Sequence, residues 1–304
     1  MKKIFIILGI AALGLSSCKE FKESDGGMLY NIHTDEGGET IKPGDFVALK
    51  AVQKTDQDSV IYNSYDFDQP TFTYGDKPRY SGDFNHALSL LSEGDSVTLK
   101  LRVDSIKASV VRTGAPAPNI KGEYMIYILK IVKVIPRENQ QDAAFQAKVE
   151  EFFKAETAKV MSSEASRIKN YITAHNLKPI VMPSGLNHVV TKPGNGAKAV
   201  VGDTVVVNYT GSFLSGTVFD SSLSDVAKKS KIFNPDRPYG PIKVAIGSNT
   251  AIAGFEEGLS LFAAGTKVTL IMPSKLAYGP QGSEKFPPYT PLVFEIEVLN
   301  IIRP

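Results

Sequence analysis

Runs of β-branched and aromatic residues alternate with polar turn segments in two parts of the chain, and runs of this kind are typical of β-strands. In the first part, the runs are GDFVALKAV (44–52), DSVTLKLRV (95–103) and YMIYILKIVKVI (124–135). In the second part, they are VGDTVVVNYTG (201–211), GTKVTLIMP (265–273) and PLVFEIEVLNII (291–302). Gly, Pro and Asp residues form the turns between them. The pattern predicts two antiparallel β-rich units.

Residues 139–176, between the two units, have a different periodicity. Apolar residues recur mostly every three or four positions among Lys, Glu and Gln, at Phe145, Val149, Phe152, Phe153, Val160, Ile168 and Ile172. This spacing predicts an amphipathic helix, which Ser162 and Ser163 would break into two. Its apolar face could pack on a neighbouring unit or form a surface for a second copy or a client.

The two β-rich units match each other at offsets that drift along the chain. Gly44-Asp45 matches Gly202-Asp203 at an offset of 158, and Tyr62-Asn63 matches Phe219-Asp220 at 157. The offset becomes 171 for the VTL triplets at 97–99 and 268–270, and 167 for Tyr127 and Phe294. Such drift is expected of a duplicated domain with altered loops, although two β-rich sequences can also match by chance.

Composition narrows the class of protein. The chain has 304 residues, enough for two domains, with 42% hydrophobic and 22% charged residues, as in globular proteins. Lys2 and Lys3 lie in an N-terminal segment that is expected to be cleaved off, as described below. Without them, the 34 basic residues become 32, equal to the 32 acidic residues, and a net charge of zero does not favour nucleic-acid binding. Four dispersed histidines and one cysteine argue against a zinc site or a thiol redox pair.

The N-terminus has the pattern of a signal peptide. Lys2-Lys3 precedes the apolar run 4–15 and then Ser16-Ser17-Cys18. Twelve helical residues span about 18 Å, too short for a bilayer core of about 30 Å. Residues 15–18 resemble a bacterial lipobox, which implies removal of residues 1–17 and lipidation of Cys18; the alternative is a secreted protein with a free thiol. Residues 18–42, polar and containing two Gly-Gly pairs, predict a flexible tether.

The second unit contains aromatic motifs in a characteristic order. They are NYTG (208–211), VFDSS (218–222), GFEEGL (254–259), LAYG (276–279) and LVFEIEV (292–298). In this order the motifs resemble the FKBP family of peptidyl-prolyl isomerases over roughly residues 184–303. The resemblance implies an α+β fold: an antiparallel half-barrel wrapped on a short helix within 253–262, with an apolar pocket between sheet and helix.

The resemblance also implies roles for individual residues. Asp220, Tyr278 and Tyr209 would act on the substrate, Tyr278 as a hydrogen-bond donor, and the Ile252 N–H would face a substrate carbonyl. The residues that would bind the proline are Phe219, Ile242, Val244, Ile252, Phe255, Phe286 and Phe294. No cofactor or metal is implied, and a macrolide inhibitor could fill such a pocket.

Two features depart from the family pattern. The family often has Trp on the pocket floor, whereas this chain has no Trp and offers Phe255. The segment 223–241 is longer than the usual family loop, and it could select clients, cover the pocket or be a surface decoration.

In the first unit, Ala51 would replace Tyr209, Asn63 would replace Asp220, and nothing resembles LAYG, which predicts a degenerate FKBP-like domain without activity.

These observations predict five segments: a lipoprotein signal peptide (1–17), a tether (18–42), a degenerate FKBP-like domain (43–136), a helical linker (137–178) and an isomerase domain (179–304). The expected function is cis–trans isomerisation of X–Pro bonds in proline-containing polypeptide clients. The protein would be lipid-anchored in the bacterial cell envelope, facing the periplasm or the cell surface. The alternative is a non-catalytic FKBP-like module that binds an envelope protein partner. The sequence leaves homodimerisation open.

Overall fold

The computed structural model describes residues 20–138 and 141–304, and the first of these ranges forms a seven-stranded antiparallel sheet. Its strands are β1 (Lys22–Glu23), β2 (Leu29–Thr34), β3 (Phe46–Thr55), β4 (Val60–Asn63), β5 (Thr71–Tyr74), β6 (Ser96–Arg102) and β7 (Tyr124–Ile135). Two helices, α1 (Phe84–Leu88) and α2 (Val103–Val111), complete this unit. Alternate residues of β3 divide between two cores: Val47 and Leu49 face α1, whereas Phe46 and Ala48 face the opposite side.

Residues 180–302 form a second seven-stranded antiparallel sheet. Its strands are β8 (Ile180–Val181), β9 (Asn187–Lys192), β10 (Thr204–Phe213), β11 (Val218–Ser221), β12 (Ile242–Ala245), β13 (Lys267–Met272) and β14 (Leu292–Ile302). The short helix α4 (Ser224–Lys229) follows β11, and α5 (Ala253–Ser260) precedes β13. The predicted α+β class with two antiparallel sheets is therefore confirmed, and α5 lies within the predicted range 253–262.

Both sheets have the same connectivity. The first follows the order β4-β3-β7-β6-β2-β1 with β5 beside β3, and the second follows β11-β10-β14-β13-β9-β8 with β12 beside β10. The pairing registers also correspond: Ala51 faces Leu129 as Tyr209 faces Ile296, which matches the offsets of 158 and 167.

One proposed equivalence is wrong by a residue. Tyr62 faces Gln53 in the first sheet as Asp220 faces Gly211 in the second, so Tyr62, not Asn63, occupies the position of Asp220. The Ala51 N–H donates to Ser64 Oγ (2.8 Å) as the Tyr209 N–H donates to Ser222 Oγ (2.9 Å), which supports the same alignment. Asn63 was matched to Asp220 because their side chains are chemically similar. The strand register instead places Tyr62 at the position equivalent to Asp220.

The linker helix is continuous. Helix α3 (Asp142–Ala174) is not broken at Ser162 and Ser163. The serine hydroxyls donate to the carbonyls of Lys159 (2.9 Å) and Val160 (3.1 Å), so these polar groups find partners within the helix. Its apolar face packs on both units. The N-terminal half covers the outer core of the first sheet through Phe145, Val149, Phe152 and Phe153, and the C-terminal half covers the second through Ile168, Tyr171 and Ile172.

The predicted tether is largely wrong. Strand β2 pairs with β6 and places Met28 in the first core, and Ile41 is also buried there. Strand β2 lies near the edge of the sheet, between β6 and the two-residue strand β1, and its residues are mostly half-buried. Its sequence LYNIHT is partly polar, so it resembled a linker by composition. The first unit therefore begins near residue 22 rather than 43.

The signal peptide and Cys18 lie outside the described residues. Among residues 20–138 and 141–304, no helix combines the length and the apolar character needed to cross a bilayer.

Candidate active site

The base of the site is a cluster of aromatic rings between the second sheet and α5. Phe255, on α5, contacts Phe294 of β14 edge to face, with ring centroids 5.2 Å apart, and Tyr209 of β10 with centroids 5.9 Å apart. Only 4% of Phe255 is exposed, so its ring forms the buried base of this cluster. Edge-to-face contacts of this kind stabilise the rings beyond the area that they bury.

Gly211, in the NYTG motif, leaves space for two of these rings. A Cβ at this position would lie 2.6 Å from the Phe219 ring and 2.9 Å from the Phe294 ring. These distances are well inside van der Waals contact, so a side chain at residue 211 would displace both aromatic groups.

A second layer of rings reaches the surface. Phe219 contacts Phe294 at 5.7 Å and Phe286 at 5.0 Å between centroids. Phe286 in turn stacks on Tyr278 at 4.4 Å, and Tyr278 is 39% exposed. The Tyr278 hydroxyl group therefore belongs to a ring that is supported by the cluster and accessible to a ligand.

Three polar side chains form a network at the edge of the rings. The Tyr209 hydroxyl donates to the Asp220 carboxylate (2.6 Å), Arg237 forms an ion pair with the same carboxylate, and Arg237 Nη2 donates to the Tyr209 hydroxyl oxygen (3.2 Å). Asp220 is therefore held by two partners rather than pointing freely into solvent.

The network alters the acidity of its members. Burial, together with the Asp220 carboxylate, raises the pKa of Tyr209 to about 12. The hydrogen bond to Asp220 raises the pKa of Arg237, and partial burial followed by the charge of Asp220 raises the pKa of Tyr278. Both tyrosines therefore remain protonated donors at neutral pH.

The surface layer opens into a cleft of about 790 Å³. Four predicted site residues line it, namely Phe219, Asp220, Tyr278 and Phe286. The others lie beneath or beside this layer in the core of the second unit: Tyr209, Ile242, Val244, Ile252, Phe255 and Phe294. Ile252 immediately precedes α5, and its carbonyl accepts from the N–H groups of Phe255 (2.9 Å) and Glu256 (3.2 Å).

Two parts of the site could not be predicted from the sequence. Arg237 lies in the long 223–241 segment, and no motif around it indicated a contact with Asp220. The first unit also lines the cleft, through Val60, Ile61, Tyr62, Asn63, Asp66 and Phe67. No local pattern could reveal this wall, because the residues that it faces are far away in the sequence.

Comparisons with known proteins cover this part of the chain. The family of FKBP-type peptidyl-prolyl cis-trans isomerases matches residues 195–299. FK506-binding protein 2 of Candida glabrata is 40% identical over 108 residues, which cover 35% of this chain and 70% of that protein. This chain belongs to the FKBP family.

Two bacterial FKBP relatives extend the comparison. The FKBP-type peptidyl-prolyl cis-trans isomerase FkpA of Aeromonas hydrophila is 35% identical over 162 residues, 53% of this chain and 55% of that protein. Outer membrane protein MIP of Legionella longbeachae is 34% identical over 134 residues, 43% of this chain and 51% of that protein. The chain thus spans about half the length of these relatives.

Proposed function

We propose that this FKBP catalyses cis–trans isomerisation of X–Pro bonds in polypeptide clients. The observation that supports this most directly is the exposed Tyr278 beside Phe219 and Asp220, above the buried floor of Phe255 and Phe294. Family membership supports the same activity.

The chemistry requires no covalent step. Rotation about a peptide bond has a barrier of about 18–20 kcal/mol, because amide resonance favours the planar forms. Water stabilises the more polar planar amide, so transfer to an aromatic surface removes part of that stabilisation. Contacts that fit the twisted amide better than either planar isomer lower the barrier further.

Different residues of the site have different roles in this reaction. The rings of Phe219 and Phe286, which line the cleft, provide the apolar surface for the proline, and Phe294 and Phe255 support them from beneath. Tyr278 donates a hydrogen bond to a substrate carbonyl, and its raised pKa keeps the proton on the hydroxyl at neutral pH. Arg237 and Tyr209 hold Asp220 at the rim, where its charge acts on the substrate carbonyl region.

An exchange assay on a blocked proline tetrapeptide tests the proposal. Tyr278→Phe should reduce kcat/KM by about tenfold, as expected for the loss of one hydrogen bond in the transition state. Asp220→Ala should reduce it as well, by releasing Tyr209 and Arg237. Tyr289→Phe, in the same loop region but outside the cleft lining, is the matched control and should retain wild-type turnover. A macrolide that fills the pocket should compete with the peptide.

Negligible turnover by the wild-type protein together with tight binding of an envelope protein would contradict the enzyme proposal. It would support instead a non-catalytic binding module.

We infer that the first unit is a degenerate FKBP-like domain arising from duplication. The shared strand order and registers support this origin. At the positions of Tyr209, Phe219 and Asp220, the register places Ala51, Ile61 and Tyr62. The first unit therefore lacks a carboxylate equivalent to Asp220, and isomerase activity is not expected of it. The proposed organisation is then a first domain from about residue 22 to 136, a linker over 137–178 and an isomerase domain over 179–304.

We infer further that the protein acts outside the cytoplasm, anchored to an envelope membrane through lipidated Cys18. The signal-peptide pattern supports this, as does similarity to a protein named outer membrane protein MIP. Mass spectrometry of the membrane-associated protein should show acylated Cys18 as its first residue, and Cys18→Ser should abolish this acylation, whereas an unmodified Cys18 in the wild-type protein would contradict the anchor.

A further inference from the structure

The cleft beside Tyr278 has walls from both units. On one side are Phe219, Asp220 and Phe286 of the second unit, and on the other is β4 of the first unit with Asp66 and Phe67. Its volume of about 790 Å³ lies in the range of sites that enclose drug-sized ligands, and it is large for one proline ring. The cleft can therefore contain residues next to the proline as well.

Both walls include an edge strand. Strand β4 lies at one edge of the first sheet, and β11 lies at one edge of the second. Residues of both strands line the cleft. Edge strands present backbone groups that an extended polypeptide can pair with. The proline itself lacks an N–H donor, but its neighbours retain theirs.

The wall from the first unit exposes two neighbouring apolar side chains. Val60 is 47% exposed and Ile61 is 54% exposed, and both lie on the cleft. The sheet register places Ile61 where the second unit has Phe219, so an apolar side chain occupies both equivalent positions. Exposed apolar residues next to a binding site commonly mark where a ligand is bound.

Several contacts hold this wall in position against the site. Phe67 packs on Phe213 with centroids 4.9 Å apart, and the hydroxyls of Ser215 and Thr217 donate to Asp66 at 2.6 and 2.8 Å. On the other side, Lys231 Nζ donates to the carbonyls of Gln57 (3.1 Å) and Asp58 (3.0 Å). The 223–241 segment thus connects the hairpin of β3 and β4 to the second unit.

The charges of the cleft do not favour a charged ligand. Three acidic residues (Asp66, Asp220 and Glu284) and two basic residues (Arg237 and Lys285) line it. Asp220 is already paired with Arg237, and Asp66 already accepts hydrogen bonds from Ser215 and Thr217. The surface that remains available near β4 is that of Val60 and Ile61.

We propose that β4 is a specificity wall of the isomerase site, which binds apolar residues flanking the X–Pro bond of an extended, unfolded polypeptide. This proposal rests on the isomerase function proposed above. It gives the first unit a role in the selection of clients, although that unit has no carboxylate equivalent to Asp220.

The test compares two substrates in the full chain. One is a blocked proline tetrapeptide, and the other is a longer unstructured peptide with Leu and Phe on both sides of the proline. The readout is the ratio of kcat/KM for the long peptide to that for the tetrapeptide. Ile61→Asp should lower this ratio by about tenfold, mainly through KM, since burial of an isoleucine is lost. Ile61→Thr, which preserves strand preference, should lower it less.

Ile180→Asp is the matched control. Ile180 is an exposed isoleucine, at 63%, on the edge strand β8 of the second sheet, and it does not line the cleft. It should leave the ratio unchanged. An unchanged ratio in Ile61→Asp, or an equal loss in Ile180→Asp, would overturn the specificity wall while leaving the isomerase function intact.

The same assay gives a different result if the protein is not an isomerase. The wild-type chain would then turn over neither peptide, and fluorescence anisotropy with the labelled long peptide would test the wall alone. Weaker binding by Ile61→Asp than by Ile180→Asp would support the wall, and equal binding would overturn it.

Discussion

At the scale of single residues, the site depends on the absence of one side chain and on the protonation of another. Gly211 leaves the volume that the Phe219 and Phe294 rings occupy. The pKa of Tyr209 is raised because ionisation would place a charge in a partly buried position, would weaken the hydrogen bond to Asp220 and would add a second negative charge beside it. Each property has a direct experimental consequence.

Gly211→Ala should disturb both rings. Overpacking of this kind costs about 1–3 kcal/mol, so we expect a lower free energy of unfolding and a reduced kcat/KM on the proline tetrapeptide. Urea denaturation and the exchange assay measure the two effects. Gly38→Ala is the control, because the nearest heavy atom to its new Cβ would be 3.3 Å away. Wild-type stability in Gly211→Ala would contradict the packing argument.

Tyr209 should make stability depend on alkaline pH. A free tyrosine has a pKa of about 10 and Tyr209 in the folded protein one of about 12, so the folded state holds this proton more tightly. The stabilisation by Tyr209 is therefore complete below pH about 10 and is lost as pH rises through about 12. The free energy of unfolding of Tyr209→Phe should fall less over this range. Tyr65→Phe retains Tyr209 and should follow the wild-type slope, and an equal fall in both variants would refute the assignment.

At the scale of elements, α3 connects the two units through specific polar contacts. Arg167 donates to the carbonyl of Phe67 (3.0 Å) in the first unit and to that of Tyr289 (2.8 Å) in the second. Glu164, one turn earlier, accepts from the N–H and hydroxyl of Ser274. The helix is thus a rigid connection rather than a simple spacer.

Arg167→Ala should weaken this connection. Two carbonyl groups lose their donor, and such losses cost about 1–3 kcal/mol when the groups remain shielded from water. We expect a lower free energy of unfolding by urea denaturation. The control is Lys169→Ala, an exposed position on the same helix. Equal effects in the two variants would show that Arg167 contributes no more than its neighbours.

At the scale of the whole molecule, the cores of the two units are in contact. Phe67 belongs to the first unit by sequence, but it is buried in the hydrophobic cluster of the second, against Phe213. The stability of the isomerase domain should therefore depend on a residue outside it.

Phe67→Ala should increase hydrogen exchange in β10 of the second unit. Truncation of a buried phenylalanine costs about 3–5 kcal/mol, and part of that loss falls on the packing of Phe213. Mass spectrometry of exchanged peptides from 204–213 measures it. Tyr65→Ala, at an exposed position of the same turn, should leave this exchange unchanged. Exchange that rises only in the first unit would show that the units are independent.

The sequence by itself determined the long strands and the amphipathic linker, because each depends on local periodicity. The order of its short motifs indicated, through resemblance to the FKBP family, the short helix α5 and the aromatic residues proposed for the site. Tertiary structure decided what depends on pairing over long distances. Strand register decided that Tyr62 rather than Asn63 corresponds to Asp220, and sheet pairing converted the predicted tether into β2. Packing between the units placed Val60 and Ile61 beside Tyr278, since only the folded chain brings these edges together.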